Sequence, residues 1–166
     1  MLQGGATRTW EHWYPHDGTH SHPWSSTPAS AIASGLMGVR PVTPGWGSWM
    51  VLPAPGNLTF AAATVPTPLG AIMVNFTRNN TSTDHSISLS LAVHIPAGTT
   101  ASLCMPMFWA DATKVVLTLD GVPQTENVRA ALGGAYACVD HVQPVDGHHS
   151  RLLAATLVPG ARPPPT

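Results

Sequence analysis

The sequence has little charge of either sign and no long apolar run. Lys, Arg, Asp and Glu make up 9% of its 166 residues, against roughly 25% in a typical globular protein, and the formal net charge is -1. Nucleic acids and anionic membranes bind clustered positive charge, so this balance excludes a polyanion-binding protein. No apolar run approaches the roughly 20 residues of a membrane-spanning helix, so we expect no membrane partner.

Cysteine is also scarce, and no leader is visible. Cys104 and Cys138 lie far apart without metal-ligand spacing, so two buried thiols and one disulfide between neighbouring strands both remain open. The start, MLQGGATRTW, lacks the basic and apolar regions of a signal peptide. Sequons favour an extracellular or secretory setting without fixing the compartment. Their asparagines are Asn57, Asn75, Asn79 and Asn80.

Abundant turn residues, 15 Gly and 17 Pro, favour short strands over long helices. One segment alternates clearly, with Ile87, Leu89, Leu91 and Val93 facing one way, which is the period of a half-buried antiparallel strand. Strand candidates span residues 48–53, 70–77, 86–96, 101–108, 114–121, 135–139 and 151–158. We therefore predict a mainly β fold, a jelly-roll-like antiparallel β-sandwich.

A short helix is predicted before the strands. Thr27 can cap it, Pro28 suits its first position, and Gly38 suits the residue after its last turn. Its apolar stripe would consist of Ile32, Ala33, Leu36 and Met37. The pattern then changes near residue 47, so the chain divides into a helical, aromatic part and a sandwich.

The stretch TWEHWYPHDGTHSHPW concentrates four histidines, three tryptophans, one Glu and one Asp. His12, His16 and His20 are spaced by four, as zinc ligands on a helix face would be. Pro15 and Gly18 interrupt any such helix, so we favour no metal site here. A second interpretation is that the tryptophans pack in a core and the histidines lie in exposed loops.

The third interpretation of this stretch is a carbohydrate site. Sugar rings stack their C–H faces on aromatic side chains and need fixed polar partners for their hydroxyls. Glu11, Asp17 and His22 could supply the polar contacts. Neighbouring indoles would partly desolvate the carboxylate of Glu11, which predicts a raised pKa. The apolar faces would come from Trp10, Trp13 and Trp24.

Several motifs in order resemble one glycosidase family. TRTWEHW, then SHPWSSTP, then LMGVRPVTPGWGSWMVLPAPGNLTFAAATVPTPLGAIMVNF are similar to the C-terminal part of bacterial-type α-L-rhamnosidases, glycoside hydrolase family 78. The similarity extends from Gly5 to Val74. It implies the end of an (α/α)6 six-hairpin barrel over residues 1–47, a C-terminal β-sandwich over 48–158, and a Pro-rich tail over 159–166.

The resemblance also implies a chemistry. These enzymes remove terminal non-reducing α-L-rhamnose from glycosides or polysaccharides with inversion, through two carboxylic acids. We expect no metal and no cofactor in this chain. Glu11, in WEHW, matches the general base of the family. His22, in SHPW, matches a histidine that hydrogen-bonds rhamnose hydroxyls. Substrate binding by an aromatic wall is assigned to Trp10, Trp13 and Trp24.

The sequence departs from the family in two respects. The general acid lies earlier in the barrel, in sequence that this chain does not contain, and Pro23 stands where a small residue is expected. We therefore expect a fragment that is inactive as an isolated chain. The alternative is a non-catalytic module, either carbohydrate-binding or purely structural. The sequence does not predict an oligomeric state.

Overall fold

The computed structural model describes residues 10–12, 16, 18–23, 27–80, 87–107, 112–125, 128–145 and 149–159. Eleven strands are found in this part of the chain. They are β1 Val39–Pro41, β2 Ser48–Val51, β3 Phe60–Thr67, β4 Gly70–Asn80, β5 Ile87–His94, β6 Thr100–Pro106, β7 Ala112–Leu119, β8 Val122–Pro123, β9 Val128–Ala131, β10 Tyr136–Val142 and β11 Ser150–Pro159. The helical segments are α1 Pro28–Ser30, a π-helical turn Ala31–Leu36, and 3-10 turns Pro44–Trp46 and Leu132–Gly134.

The strands form two sheets. One has the order β1-β2-β6-β10-β9 and the other β3-β4-β5-β11-β7-β8. Described neighbours pair antiparallel, except that β2 runs parallel to β6. The fold is thus mainly β with two largely antiparallel sheets, which confirms the predicted sandwich.

Alternating side chains from both sheets fill one apolar core. On β5, Leu89, Leu91 and Val93 are at most 1% exposed and Ile87 is half-buried, so the alternation seen in the sequence is confirmed. Trp49 on β2 is the largest of the fully buried side chains. The other large ones are Phe76, Met37, Ile72, Ile95, Leu103, Met105, Leu153 and Val51.

One polar side chain among the described residues is buried inside the sandwich, and both of its hydrogen bonds are made. Thr99 accepts a hydrogen bond at 3.1 Å from the indole Nε1–H of Trp49. Its hydroxyl donates to the carbonyl of Pro96 at 2.8 Å. Burying these groups is tolerable because each has a partner.

The helix lies where the sequence predicts it but is wound differently. The backbone N–H of Met37 bonds to the carbonyl of Ile32, five residues earlier, so the last turn is π-helical. Met37 is fully buried while Ile32 is 49% exposed, so the prediction that Ile32 belongs to one apolar stripe with Met37 is wrong. Thr27 makes no side-chain cap bond. Gly38 has φ +67° and sits against the backbone of Leu52, where a side chain would not fit.

Two local predictions resolve at the strand level. Asp120-Gly121 is a tight-turn signal in the sequence, and the backbone reverses there, with φ +50° and +80°, in a two-residue hairpin between β7 and β8. Cys104 on β6 and Cys138 on β10 are directly opposite and form a disulfide, which decides between the two open alternatives. No described helix is long and apolar enough to cross a membrane.

Candidate functional site

The candidate site is a loop closed by residues Glu11 and Thr19. The backbone N–H of Glu11 donates to the carbonyl of Thr19 at 2.9 Å. In return, the backbone N–H of Thr19 donates to Glu11 Oε2 at 2.8 Å, and the Thr19 hydroxyl lies 3.2 Å from the same oxygen. The Glu11 carboxylate is therefore hydrogen-bonded to the other end of the loop, at Thr19, and does not extend into open solvent.

His22 joins the same cluster. Its Nδ1 lies 3.3 Å from Glu11 Oε2 and 3.0 Å from the Thr19 hydroxyl oxygen. His12 Nε2 lies 3.8 Å from Glu11 Oε1, on the other side of the carboxylate. The side chains of Glu11 and His22 are 17% and 24% exposed, so both are partly shielded from water but reachable from it. The two residues singled out from the sequence for catalysis and sugar contact are thus neighbours.

The pKa of Glu11 is lowered, contrary to the raised value expected from neighbouring indoles. The largest cause is the backbone N–H of Thr19, and desolvation by burial opposes it. The Thr19 hydroxyl and the nearby His22 and His12 lower the pKa further. Glu11 therefore stays ionised to lower pH than an ordinary glutamate, as a base requires.

The turn that brings Thr19 back to Glu11 depends on Gly18. This residue has φ +71°, a backbone conformation that residues other than glycine rarely adopt. A Cβ built there would lie 2.7 Å from Glu11 Oε2 and 2.7 Å from His12 Cδ2. Both the backbone conformation and the space thus require glycine.

The predicted aromatic wall is only partly described. Trp10 is 7% exposed and its indole stacks on His20, with ring centroids 4.7 Å apart and planes 21° apart. Trp13, Trp24 and Asp17 lie outside the described residues. The described indole therefore packs against its own loop.

The histidines considered for a metal site do not form one in the described part of the chain. There, no group of three or more His, Cys, Asp and Glu side chains has an arrangement that could hold a metal ion. His12 contacts Glu11 and His20 stacks on Trp10.

Sequence reasoning missed Thr19 and Gly18. Asp17-Gly18 is a recognisable turn signal, so a chain reversal there could have been predicted. Nothing in the residue types indicates that the reversal sets Thr19 against Glu11. That register is a property of the folded loop.

A shallow concave surface lies apart from this loop, on the outer face of the six-stranded sheet. Thr64, Met73, Asn75, His94 and Ser150 contribute to it from four adjacent strands. Its lining carries no formally charged Asp, Glu, Lys or Arg side chain. Such a mixture of neutral polar and apolar groups is chemically compatible with a sugar.

Comparison with known proteins shows which fold and which family model this chain resembles. Residues 38–118 match the family model of the bacterial alpha-L-rhamnosidase C-terminal domain. The chain resembles the C-terminal portion of bacterial α-L-rhamnosidases. A comparison with curated proteins gives no match.

Two solved α-L-rhamnosidases superpose on nearly the whole chain. The enzyme from Dictyoglumus thermophilum has a TM-score of 0.70 and 18% identity, over 95% of this chain and 17% of its own. The Streptomyces avermitilis enzyme, complexed with L-rhamnose, has a TM-score of 0.61 and 22% identity, over 92% of this chain and 14% of its own. The chain thus shares the fold of a part of each and spans about one sixth of their length.

Proposed function

We propose that this chain is the C-terminal part of an inverting α-L-rhamnosidase that removes terminal non-reducing α-L-rhamnose from glycosides or polysaccharides. Glu11 is the general base, and His22 hydrogen-bonds rhamnose hydroxyls. Trp10, Trp13 and Trp24 contribute the apolar wall. The observation that carries the proposal is the pairing of Glu11 with His22 across 3.3 Å, in a chain that resembles this family.

The electrostatics of Glu11 suit a base and not an acid. In an inverting hydrolysis, the base takes a proton from water while the water oxygen bonds to the anomeric carbon. At the same time, a second carboxylic acid protonates the departing glycosidic oxygen. Hydrogen bonds that favour the charged carboxylate keep Glu11 ready for the first role. The same bonds make it a poor donor for the second.

The proposal includes the domain division. Residues 1–47 would be the end of an (α/α)6 barrel, 48–158 the sandwich and 159–166 a tail. Strand β1, Val39–Pro41, already pairs with β2 in the sandwich, so the two parts would be joined through a shared sheet. The general acid would lie in barrel sequence outside this chain. The isolated chain should therefore hydrolyse rhamnosides very slowly or not at all.

The test has two parts. The transcript around this coding sequence is determined, and its longest product is assayed with an aryl α-L-rhamnoside while NMR follows the first anomer released. We expect β-L-rhamnose first, and a loss of several orders of magnitude in kcat for Glu11→Gln with an unchanged unfolding midpoint. Asp140→Asn, on the far strand β10, is the matched control and should retain activity. Full activity of Glu11→Gln would remove this residue from the mechanism.

A second candidate function is a non-catalytic carbohydrate-binding module. This function is favoured by the shallow concave surface on the outer face of the six-stranded sheet, here called the outer groove, whose lining carries no charged side chain. Calorimetric titration of this chain with L-rhamnose separates the two candidates. Binding lost in His22→Ala supports the catalytic loop, whereas binding lost in Asn75→Ala and retained in His22→Ala supports the groove.

A further inference from the structure

We propose that Thr19 is the positioning residue of this site: its single hydroxyl bridges Glu11 and His22, anchors one carboxylate oxygen and holds His22 with its proton on Nδ1. The inference rests on the proposed function, because it concerns the base and the sugar-contacting histidine assigned there. It adds a residue that the sequence motifs do not single out.

Counting protons fixes the direction of each hydrogen bond. An ionised carboxylate only accepts, and a threonine hydroxyl has one proton to donate. The Thr19 oxygen lies 3.2 Å from Glu11 Oε2 and 3.0 Å from His22 Nδ1. If its proton goes to the carboxylate, its lone pair must accept from Nδ1, and Nδ1 must carry a hydrogen.

The direct contact between the two end groups requires the same proton. His22 Nδ1 lies 3.3 Å from Glu11 Oε2. A bare nitrogen lone pair facing an ionised oxygen at this distance would be repelled, whereas an N–H would be attracted. Two independent contacts thus select the Nδ1–H tautomer, in which Nε2 is the acceptor nitrogen of the neutral ring.

The arrangement also distinguishes the two carboxylate oxygens. Oε2 accepts the backbone N–H and the hydroxyl of Thr19, and His22 Nδ1 lies 3.3 Å from it. Oε1 lies 3.8 Å from His12 Nε2, beyond hydrogen-bonding distance, and the hydrogen bonds to this carboxylate from described residues all go to Oε2. We therefore assign Oε1 as the oxygen that takes the proton from water, with Oε2 as its anchor.

Two substitutions separate the hydroxyl from the rest of Thr19. Thr19→Val keeps the backbone N–H and the β-branched shape but removes the hydroxyl. Thr19→Ser keeps the hydroxyl. Long-range ¹H–¹⁵N spectra of the isotope-labelled chain report the His22 tautomer, and the Glu11 Cδ shift reports the carboxyl titration.

We expect the Nδ1–H pattern in the wild type and in Thr19→Ser. In Thr19→Val, we expect a shift towards Nε2–H, the form that an unconstrained neutral histidine side chain prefers, and a higher titration midpoint for Glu11. Wild-type His22 in the Nε2–H form would overturn the inference, as would a Thr19→Val variant with unchanged tautomer and midpoint. If Thr19→Val disorders the loop, the wild type and Thr19→Ser still decide the tautomer.

The same samples separate this inference from the proposed function. L-Rhamnose is titrated into each of them and into the longest product of the transcript, and the His22 ring signals are followed. An Nδ1–H tautomer that depends on Thr19, with no response to rhamnose in any complete form of the protein, would retain the positioning role and remove the rhamnosidase assignment. A response to rhamnose, with a His22 tautomer that does not depend on Thr19, would retain the rhamnosidase assignment and remove the positioning role.

Discussion

The buried hydroxyl of Thr99 should be the most stability-sensitive polar group in the sandwich. It is 2% exposed, accepts from the Trp49 indole at 3.1 Å and donates to the Pro96 carbonyl at 2.8 Å. Thr99→Val preserves the shape of the side chain and removes both bonds. The indole N–H then stays buried without a partner, because the space vacated by an oxygen is filled by a methyl group. The Pro96 carbonyl loses the hydroxyl but keeps the backbone N–H of residue 99 at 3.3 Å.

The magnitude follows from the orphaned indole N–H and from the lost hydroxyl bond to Pro96. A buried donor left without a partner costs about 1–3 kcal/mol, and the lost hydrogen bond costs about 1 kcal/mol more. The added methyl group is buried and returns about 1 kcal/mol. The free energy of unfolding should therefore fall by about 1–3 kcal/mol. For a chain of this length, such a change lowers the melting temperature by roughly 2–12 °C.

Urea unfolding followed by far-ultraviolet circular dichroism measures this loss. The expected result is a lower midpoint with an unchanged dependence on urea concentration, since the surface exposed on unfolding is the same. Thr99→Ser keeps the hydroxyl and is the control; it should lose less stability than Thr99→Val. A Thr99→Val variant within about 0.5 kcal/mol of the wild type, the range of ordinary surface changes, would refute the reasoning.

Three further predictions concern other parts of the molecule. The double substitution Cys104→Ser, Cys138→Ser removes a disulfide between residues 34 positions apart and should lower the free energy of unfolding by up to about 4 kcal/mol. Equal urea midpoints for the variant and the wild type would contradict a stabilising disulfide. The pKa of Asp140 is lowered, first by an arginine hydrogen bond, so its contribution is present above the unfolded pKa of about 3.9 and is lost as pH falls through the folded pKa. The stability advantage of the wild type over Asp140→Asn should accordingly shrink on acidification, and a pH-independent difference in urea unfolding would oppose this. Gly18→Ala should displace the Glu11 carboxylate and so raise its NMR titration midpoint. Gly45→Ala is the control, because Gly45 has a similar φ but open space around it, and it should leave the midpoint unchanged. Equal effects of the two substitutions would exclude the steric cause.

Sequence patterns predicted the sandwich where side-chain periodicity reports burial directly. Apolar and polar residues alternate along strand β5 because one of its faces meets the core. Asp120 and Gly121 adopt the positive φ values that the turn between β7 and β8 requires. Strand β3, Phe60–Thr67, was not predicted. It is rich in alanine and contains Pro66, so its sequence carries little strand propensity, and its pairing with β4 holds it extended at the sheet edge.

The candidate site was predictable in its residue types and not in its contacts. The motifs indicated Glu11 and His22, but eleven residues of separation do not specify that their side chains meet. Gly18 and Thr19 create that contact through a backbone reversal. The expected rise in the pKa of Glu11 was wrong for the same reason, since a backbone N–H exerts the largest effect and every residue type except proline has one.

The carboxylate of Glu11 also limits what this loop can do by itself. An inverting glycosidase needs one acid with a raised pKa and one base, about 6.5–9.5 Å apart. The other described carboxylates, Asp120 and Asp140, are each engaged by an arginine, Arg151 and Arg129 respectively. Both lie on sandwich strands or turns, and their oxygens are engaged by guanidinium groups, so neither is placed to donate a proton to a glycosidic oxygen. Under the proposed mechanism, therefore, the proton for the departing oxygen has to come from a residue beyond those described, and Glu11 supplies half of a catalytic pair.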